Sequence, residues 1–167
     1  MRYFVLLLVI SIGLTSCKSK KTAKVVTKKR TTSSKRVLKG ASPIYKIINH
    51  AKSFEGTRYK YGGTTKQGID CSGLVYVSFQ KVNIPIPRTT RDLSKHGRWI
   101  DIKKVEKGDL LFFATKKKSR TITHVGIVTS TKNNIEFIHA SSSKGVITSS
   151  LSERYWYFSF VQARRLM

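Results

Sequence analysis

Residues 68–80 read GIDCSGLVYVSFQ, and the chain's architecture follows from how this stretch folds. Asp70 is a good helix cap, because its carboxylate can accept from the unpaired N–H groups of a first turn. The helix it starts carries Leu74, Val75, Ser78, Phe79 and Val82 on one side. Gly73 in the first turn lets another backbone or a substrate come close. Cys71 then sits where the helix dipole and free N–H groups favour an anion. A thiol so placed is expected to ionise at about pH 3.5–7.5 rather than ~8.5. The N–H groups, that of Cys71 among them, can also hold an oxyanion as a carbonyl is attacked. The bland alternatives are a buried inert thiol and a disulfide to Cys17, the other cysteine of the chain.

Upstream, Ser42-Pro43 reads as a helix start, followed at helical spacing by Ile44, Ile47, Ile48, Ala51 and Phe54 and ended by Gly56. A glycine-rich loop leads to Asp70. Downstream, IPIPR (84–88) excludes a helix interior, and a short helix is expected near Thr89. Past Gly108 the composition turns β-branched and aromatic. Strands are predicted over 109–115, 123–130, 135–141, 145–150 and 158–166, with Gly126 marking a bulge or a close approach. Helices first and an antiparallel sheet afterwards make an α+β domain.

Of the four histidines, His50 is expected on a helix surface and His96 in a polar loop, whereas His124 and His139 fall within strand patterns. If those strands pair, both rings could project from one face toward the Cys71 helix. His124 would then exchange a proton with the thiol while His139 fixes its tautomer. Taken singly, each is as readily a satisfied core histidine. Zinc is a weaker reading of Cys71, His124 and His139, since no Cys-x-x-Cys or His-x-x-x-His pairing accompanies them and no fourth ligand is evident.

The chain begins MRYFVLLLVISIGLTSC. Arg2 followed by a short apolar run is the pattern of a secretory signal, and the run is too short to span a bilayer as a helix. Residues 18–42 contain ten Lys and Arg and no acid, and are expected to form a disordered basic tether. Residues 43–167 are sufficient for one core and hold 22 Lys and Arg against eight Asp and Glu, a net +14. That charge favours anionic partners. Nucleic acid is not expected, because no recognition motif accompanies the charge.

Leu14-Thr15-Ser16-Cys17 resembles the bacterial lipobox, which implies a lipidated Cys17 and a division into residues 1–16 (signal peptide), 17–42 (lipidated tether) and 43–167 (catalytic domain). Four further blocks occur in order: YKYGGTTKQGIDCSGLVYVSFQKVNIPIPRTT (59–90, with its first Tyr at 59), KGDLLFF (107–113), THVGIVTS (123–130) and FIHASSSKGV (137–146). Together they resemble the NlpC family of bacterial cell-wall cysteine peptidases. The resemblance implies a papain-like α+β fold, with N-terminal helices on a five- to six-stranded, mainly antiparallel sheet. It implies Cys71 as nucleophile, His124 as general base and acid, His139 as the orienting third member, and Tyr59 as an aid to the oxyanion site. Arg88 becomes a structural or substrate-binding candidate. The implied reaction is hydrolysis of peptidoglycan stem peptides, at the γ-D-glutamyl–diamino-acid bond, with no metal or other cofactor. An amidase or acyltransferase of the same fold, or a non-catalytic wall-binding lipoprotein, is the alternative. The expected location is the cell envelope, on an outer membrane facing the periplasm if the host has two membranes, with a monomer as the simplest state. Leu93 stands where many members have Gln, and Arg58-Tyr59-Lys60-Tyr61 replaces a Pro-Tyr-x-Trp block, so the groove is expected to differ. The Lys-rich loop 115–120 is either groove wall or a solvated hairpin tip.

Overall fold

The computed structural model describes residues 42–167. The expected signal peptide, the lipidated Cys17 and nearly all of the tether lie outside the described residues. Helix α1 (Pro43–Lys52) follows Ser42, which is extended, and buries Ile47, Ile48 and Ala51. A two-stranded hairpin, β1 (Thr64–Thr65) and β2 (Gly68–Ile69), leads directly into α2 (Cys71–Gln80). Asp70 caps α2 through its side chain, accepting from the N–H of Gly73. A short α3 (Thr90–Leu93) is capped by Thr89, where the sequence placed it.

The remainder is a six-stranded sheet. Its strands are β3 (Arg98–Ile100), β4 (Leu110–Phe113), β5 (His124–Ser130), β6 (Glu136–Ser141), β7 (Gly145–Ser150) and β8 (Phe160–Arg165). Their spatial order is β3-β8-β4-β5-β6-β7, and every neighbouring pair is antiparallel. The strand count is therefore the upper of the two expected values. Several elements differ from expectation, the β1–β2 hairpin within the expected glycine-rich loop among them. The edge strand β3 was not foreseen. Residues 154–159, partly assigned to the last strand, instead form a short helix α4 (Arg154–Ser159).

The period-2 alternation of the strands divides the core into two layers. Leu110, Phe112, Val125, Ile127, Ile138 and Ala140 face α1 and α2, where they meet Ile47, Leu74 and Phe79. Leu111, Phe113, Val128, Phe137 and Ala163 face the other way and pack with Trp156 of α4. Two glycines make the site possible. A Cβ on Gly73 would come 2.2 Å from the carbonyl oxygen of Gly63, so α2 can press against the preceding loop only without a side chain there. A Cβ on Gly126 would lie 2.5 Å from the Phe137 ring and 3.3 Å from the Cβ of His139. Gly126 is thus the close approach expected of a glycine inside a strand.

Candidate active site

Cys71 is the first residue of α2 and is 6% exposed. Its sulfur lies 3.6 Å from the Thr90 hydroxyl, close to the backbone N–H groups of Val125 and Ser72. Val125 directly follows His124, so the nucleophile's helix abuts the start of β5. Cys71, His124, His139 and Tyr59 line one cavity of about 450 Å³, within the range of small-ligand sites.

The two histidines share a face of the sheet, but not the face expected. His124 pairs across strands with Phe113, and its ring stacks on Trp156 with centroids 5.4 Å apart. The His139 ring meets Trp156 edge-on at 4.7 Å and lies 5.1 Å from Phe137. All of these belong to the layer opposite α2. The reason is parity. Val125, Ile127, Ile138 and Ala140 are needed to cover the helices, so the residues alternating with them point away. The rings and Cys71 line the same cavity because His124 is the terminal residue of its strand, where both layers open.

His124 Nε2 and His139 Nδ1 are 3.0 Å apart, and His139 Nε2 is 3.2 Å from Ser149 Oγ. The network accepts two tautomer sets, one donating from His124 toward Ser149 and one the reverse. For His124 to take a proton through Nδ1, its Nε2 carries hydrogen and donates to His139 Nδ1. His139 then holds its own hydrogen on Nε2 and donates to Ser149. Ser149, on β7, was missed in the sequence, as were Thr90 and Trp156. Nothing local distinguishes them from other polar or aromatic residues, and only strand pairing brings Ser149 to His139.

Burial sets the protonation states. It lowers His124 to about 4, and burial together with the charge of His124 lowers His139 to about 3. Burial also pushes the Cys71 thiol up, opposed by hydrogen bonds from Thr90, Val125 and Ser72 and reinforced by the Asp70 carboxylate. This reverses the sequence expectation of a lowered thiol. The helix N-terminus is present, but enclosure of the sulfur and the neighbouring anion outweigh it. At neutral pH the site rests as thiol and neutral imidazole.

Arg88 is engaged within the protein. Its Nη1 donates to Asp70 and Ser72, and its Nη2 donates to Asp70 and the Gly63 carbonyl, at 2.9–3.2 Å. Burial would raise the Asp70 carboxyl, but hydrogen bonds from Arg88 and from the N–H groups of Gly73 and Gly62 hold it below the usual range. The guanidinium therefore locks loop, cap and helix together. Of the two roles foreseen for Arg88, its hydrogen bonds serve the structural one. Tyr59 lines the cavity, and burial, then the Cys71 and Asp70 charges, raise its phenol, so it remains a hydrogen-bond donor.

Comparison with known proteins places this site in a family. The NlpC/P60 family signature matches residues 56–165. The chain belongs to the NlpC/P60 family. Among its relatives is the "Probable endopeptidase NlpC" of Escherichia coli K12, 42% identical over 121 residues, covering 72% of this chain and 76% of the relative. The E. coli K12 "Murein DD-endopeptidase MepS/Murein LD-carboxypeptidase" is 37% identical over 123 residues, covering 73% and 62%. An NlpC/P60 family protein from Bacillus cereus ATCC 10987 superposes with a TM-score of 0.67 at 29% identity, over 74% of this chain and 40% of that one. The papain-like fold expected of the family is the fold observed.

Proposed function

We propose that this NlpC/P60 enzyme is a membrane-tethered cysteine endopeptidase that hydrolyses peptide bonds in peptidoglycan stem peptides. The observation that carries the reading is the chain of contacts from the cavity through His124 and His139 to Ser149, with Cys71 on the same cavity wall. The Cys71 S–H proton passes to His124 Nδ1 as sulfur bonds to the scissile carbonyl carbon. The oxyanion so formed is held by the Cys71 N–H and the Tyr59 hydroxyl. The carbon–nitrogen bond then breaks, His124 returns its proton to the departing amine, and a thioester remains. Water, deprotonated by the same ring, attacks that thioester and releases the acid and the free thiol. His139 and Ser149 keep the His124 lone pair turned toward the cavity.

The resemblance points to the γ-D-glutamyl–diamino-acid bond, whereas one relative is named a murein DD-endopeptidase and LD-carboxypeptidase. Mass spectrometry of purified wall fragments incubated with the wild type and with Cys71→Ala decides both questions. New amine ends in the wild-type digest alone support hydrolysis, and their masses identify the bond. Equal binding without cleavage by either chain refutes the enzyme and leaves a wall-binding module. The tether is tested separately. Cys17→Ala should move the protein from the membrane to the soluble fraction, and no shift would refute lipidation.

A further inference from the structure

Helix α4 buries only Trp156. Tyr155, Tyr157 and Phe158 are 55%, 66% and 68% exposed, three neighbouring aromatic side chains that the core does not use. Facing Tyr155 and Phe158 across a hollow of about 650 Å³ is the loop over residues 115–120. It presents Lys116, Lys117, Lys118 and Arg120 to solvent, and α4 adds Arg154, whose guanidinium lies 5.9 Å from the Phe158 ring. None of these five cations forms a salt bridge among the described residues, where only Arg88 and Arg165 do so. Exposed aromatic area beside unpaired cations is a binding surface rather than ordinary protein exterior.

Its position says what it binds. Thr115 and Tyr155 line both this hollow and the catalytic cavity. A ligand seated at Cys71 and longer than the cavity has two ways out, one over this surface and one along the hollow lined by Tyr61, Arg88 and Thr90. A second copy of the chain is disfavoured, because apposing the patch to itself sets five cations against five. A flat bilayer would cover the cavity mouth. We propose that α4 and the 115–120 loop form a subsite for the uncleaved flank of a polymeric glycopeptide, taking sugar-ring faces on Tyr155 and Phe158 and free carboxylates on Lys117, Lys118 and Arg120. This deepens the peptidoglycan reading above and rests on it for the polymer's identity. It also makes loop 115–120 groove wall rather than a hairpin tip.

The test uses the full chain with Phe158→Ser, Lys117→Ser and Arg120→Ser combined, all exposed residues outside the catalytic cavity, with the unfolding midpoint checked against the wild type. In a Cys71→Ala background, co-sedimentation with insoluble purified wall polymer should weaken by about tenfold, the sum of several modest contacts. In the active chain, the half-saturating concentration of polymer should rise by a similar factor. Turnover of a soluble sugar-free stem peptide short enough to end within the catalytic cavity should stay within about twofold. Unchanged sedimentation overturns the subsite. So does a parallel loss on peptide and polymer, or a loss confined to binding of phosphatidylglycerol vesicles. Because sedimentation is read without cleavage, failure of the subsite is distinguishable from failure of the hydrolase reading.

Discussion

Acidification from pH 7 to pH 5 should weaken the fold through the two active-site histidines. In the unfolded chain each titrates near ~6.5. In the folded chain, enclosure holds His124 at about 4 and His139 at about 3. As pH falls below ~6.5 the unfolded state takes up protons that the folded state refuses, so stability drops with pH, and the loss ends only near the folded values. At pH 5 the unfolded imidazoles are almost fully charged and the native ones almost fully neutral, which costs about 2 kcal/mol per ring and about 3–4 kcal/mol for the pair. That is a large part of the ~5–15 kcal/mol typical of a domain. Asp70 does not contribute in this window, since its depressed carboxyl supports the fold until pH falls below the ordinary carboxylate range. His50, lowered mainly by burial and then by Lys81 and Lys66, adds a smaller loss of the same sign. The assay is urea unfolding at pH 7, 6 and 5 for the wild type, His124→Gln and His139→Gln. Each variant should lose about half of the pH dependence, whatever its absolute stability. A wild type equally stable at pH 5 and pH 7 would refute the reasoning. A half-sized dependence, abolished by His139→Gln but untouched by His124→Gln, would show His124 protonated at rest and paired with a Cys71 thiolate.

Three further outcomes follow from the same geometry. Because enclosure raises the Cys71 thiol, its alkylation by iodoacetamide in a Cys17→Ala chain should climb about tenfold per pH unit up to and beyond ~8.5; a plateau already reached at pH 6 would contradict this. Ser149→Ala removes the acceptor that sets the His139 tautomer, so kcat on wall peptides should fall by about 3–10-fold with KM unchanged, the effect of one neutral hydrogen bond. Ser149→Thr should restore it, and full activity in the alanine variant would remove Ser149 from the relay. Arg88→Ala leaves the Asp70 carboxylate enclosed without its cation and should destabilise the domain by about 2 kcal/mol, reduced from the value of a fully buried pair because Arg88 is partly exposed. A cost below about 0.5 kcal/mol would show that the clamp is not structural.

Much of this was legible because local chemistry and tertiary demand agree. Asp70 is both the best local cap and the anion that Arg88 needs, so α2 starts where the sequence says. The run from Leu110 to Phe113 is apolar at every position because both of its faces are covered. The histidines could be placed in adjacent strands, but their side of the sheet depended on which alternate residues the helices required. The sequence predicts no element over residues 154–157 and places 158–159 in the last strand, because RYWYFS has the aromatic content of a strand and is too short to show a helical period. Its helix is held by burial of Trp156 against Phe113, Phe137 and both histidine rings, contacts that exist only once the sheet has formed.

The strand order has a consequence for how the molecule comes into being. Residues 160–165 insert between β3 and β4, which are otherwise strangers to one another. A nascent polypeptide lacking them presents two unsatisfied edges and an incomplete second layer, an invitation to intermolecular pairing. The second layer is therefore completed only once residues 160–165 have been synthesised, and a working cleft arrives all at once rather than in stages.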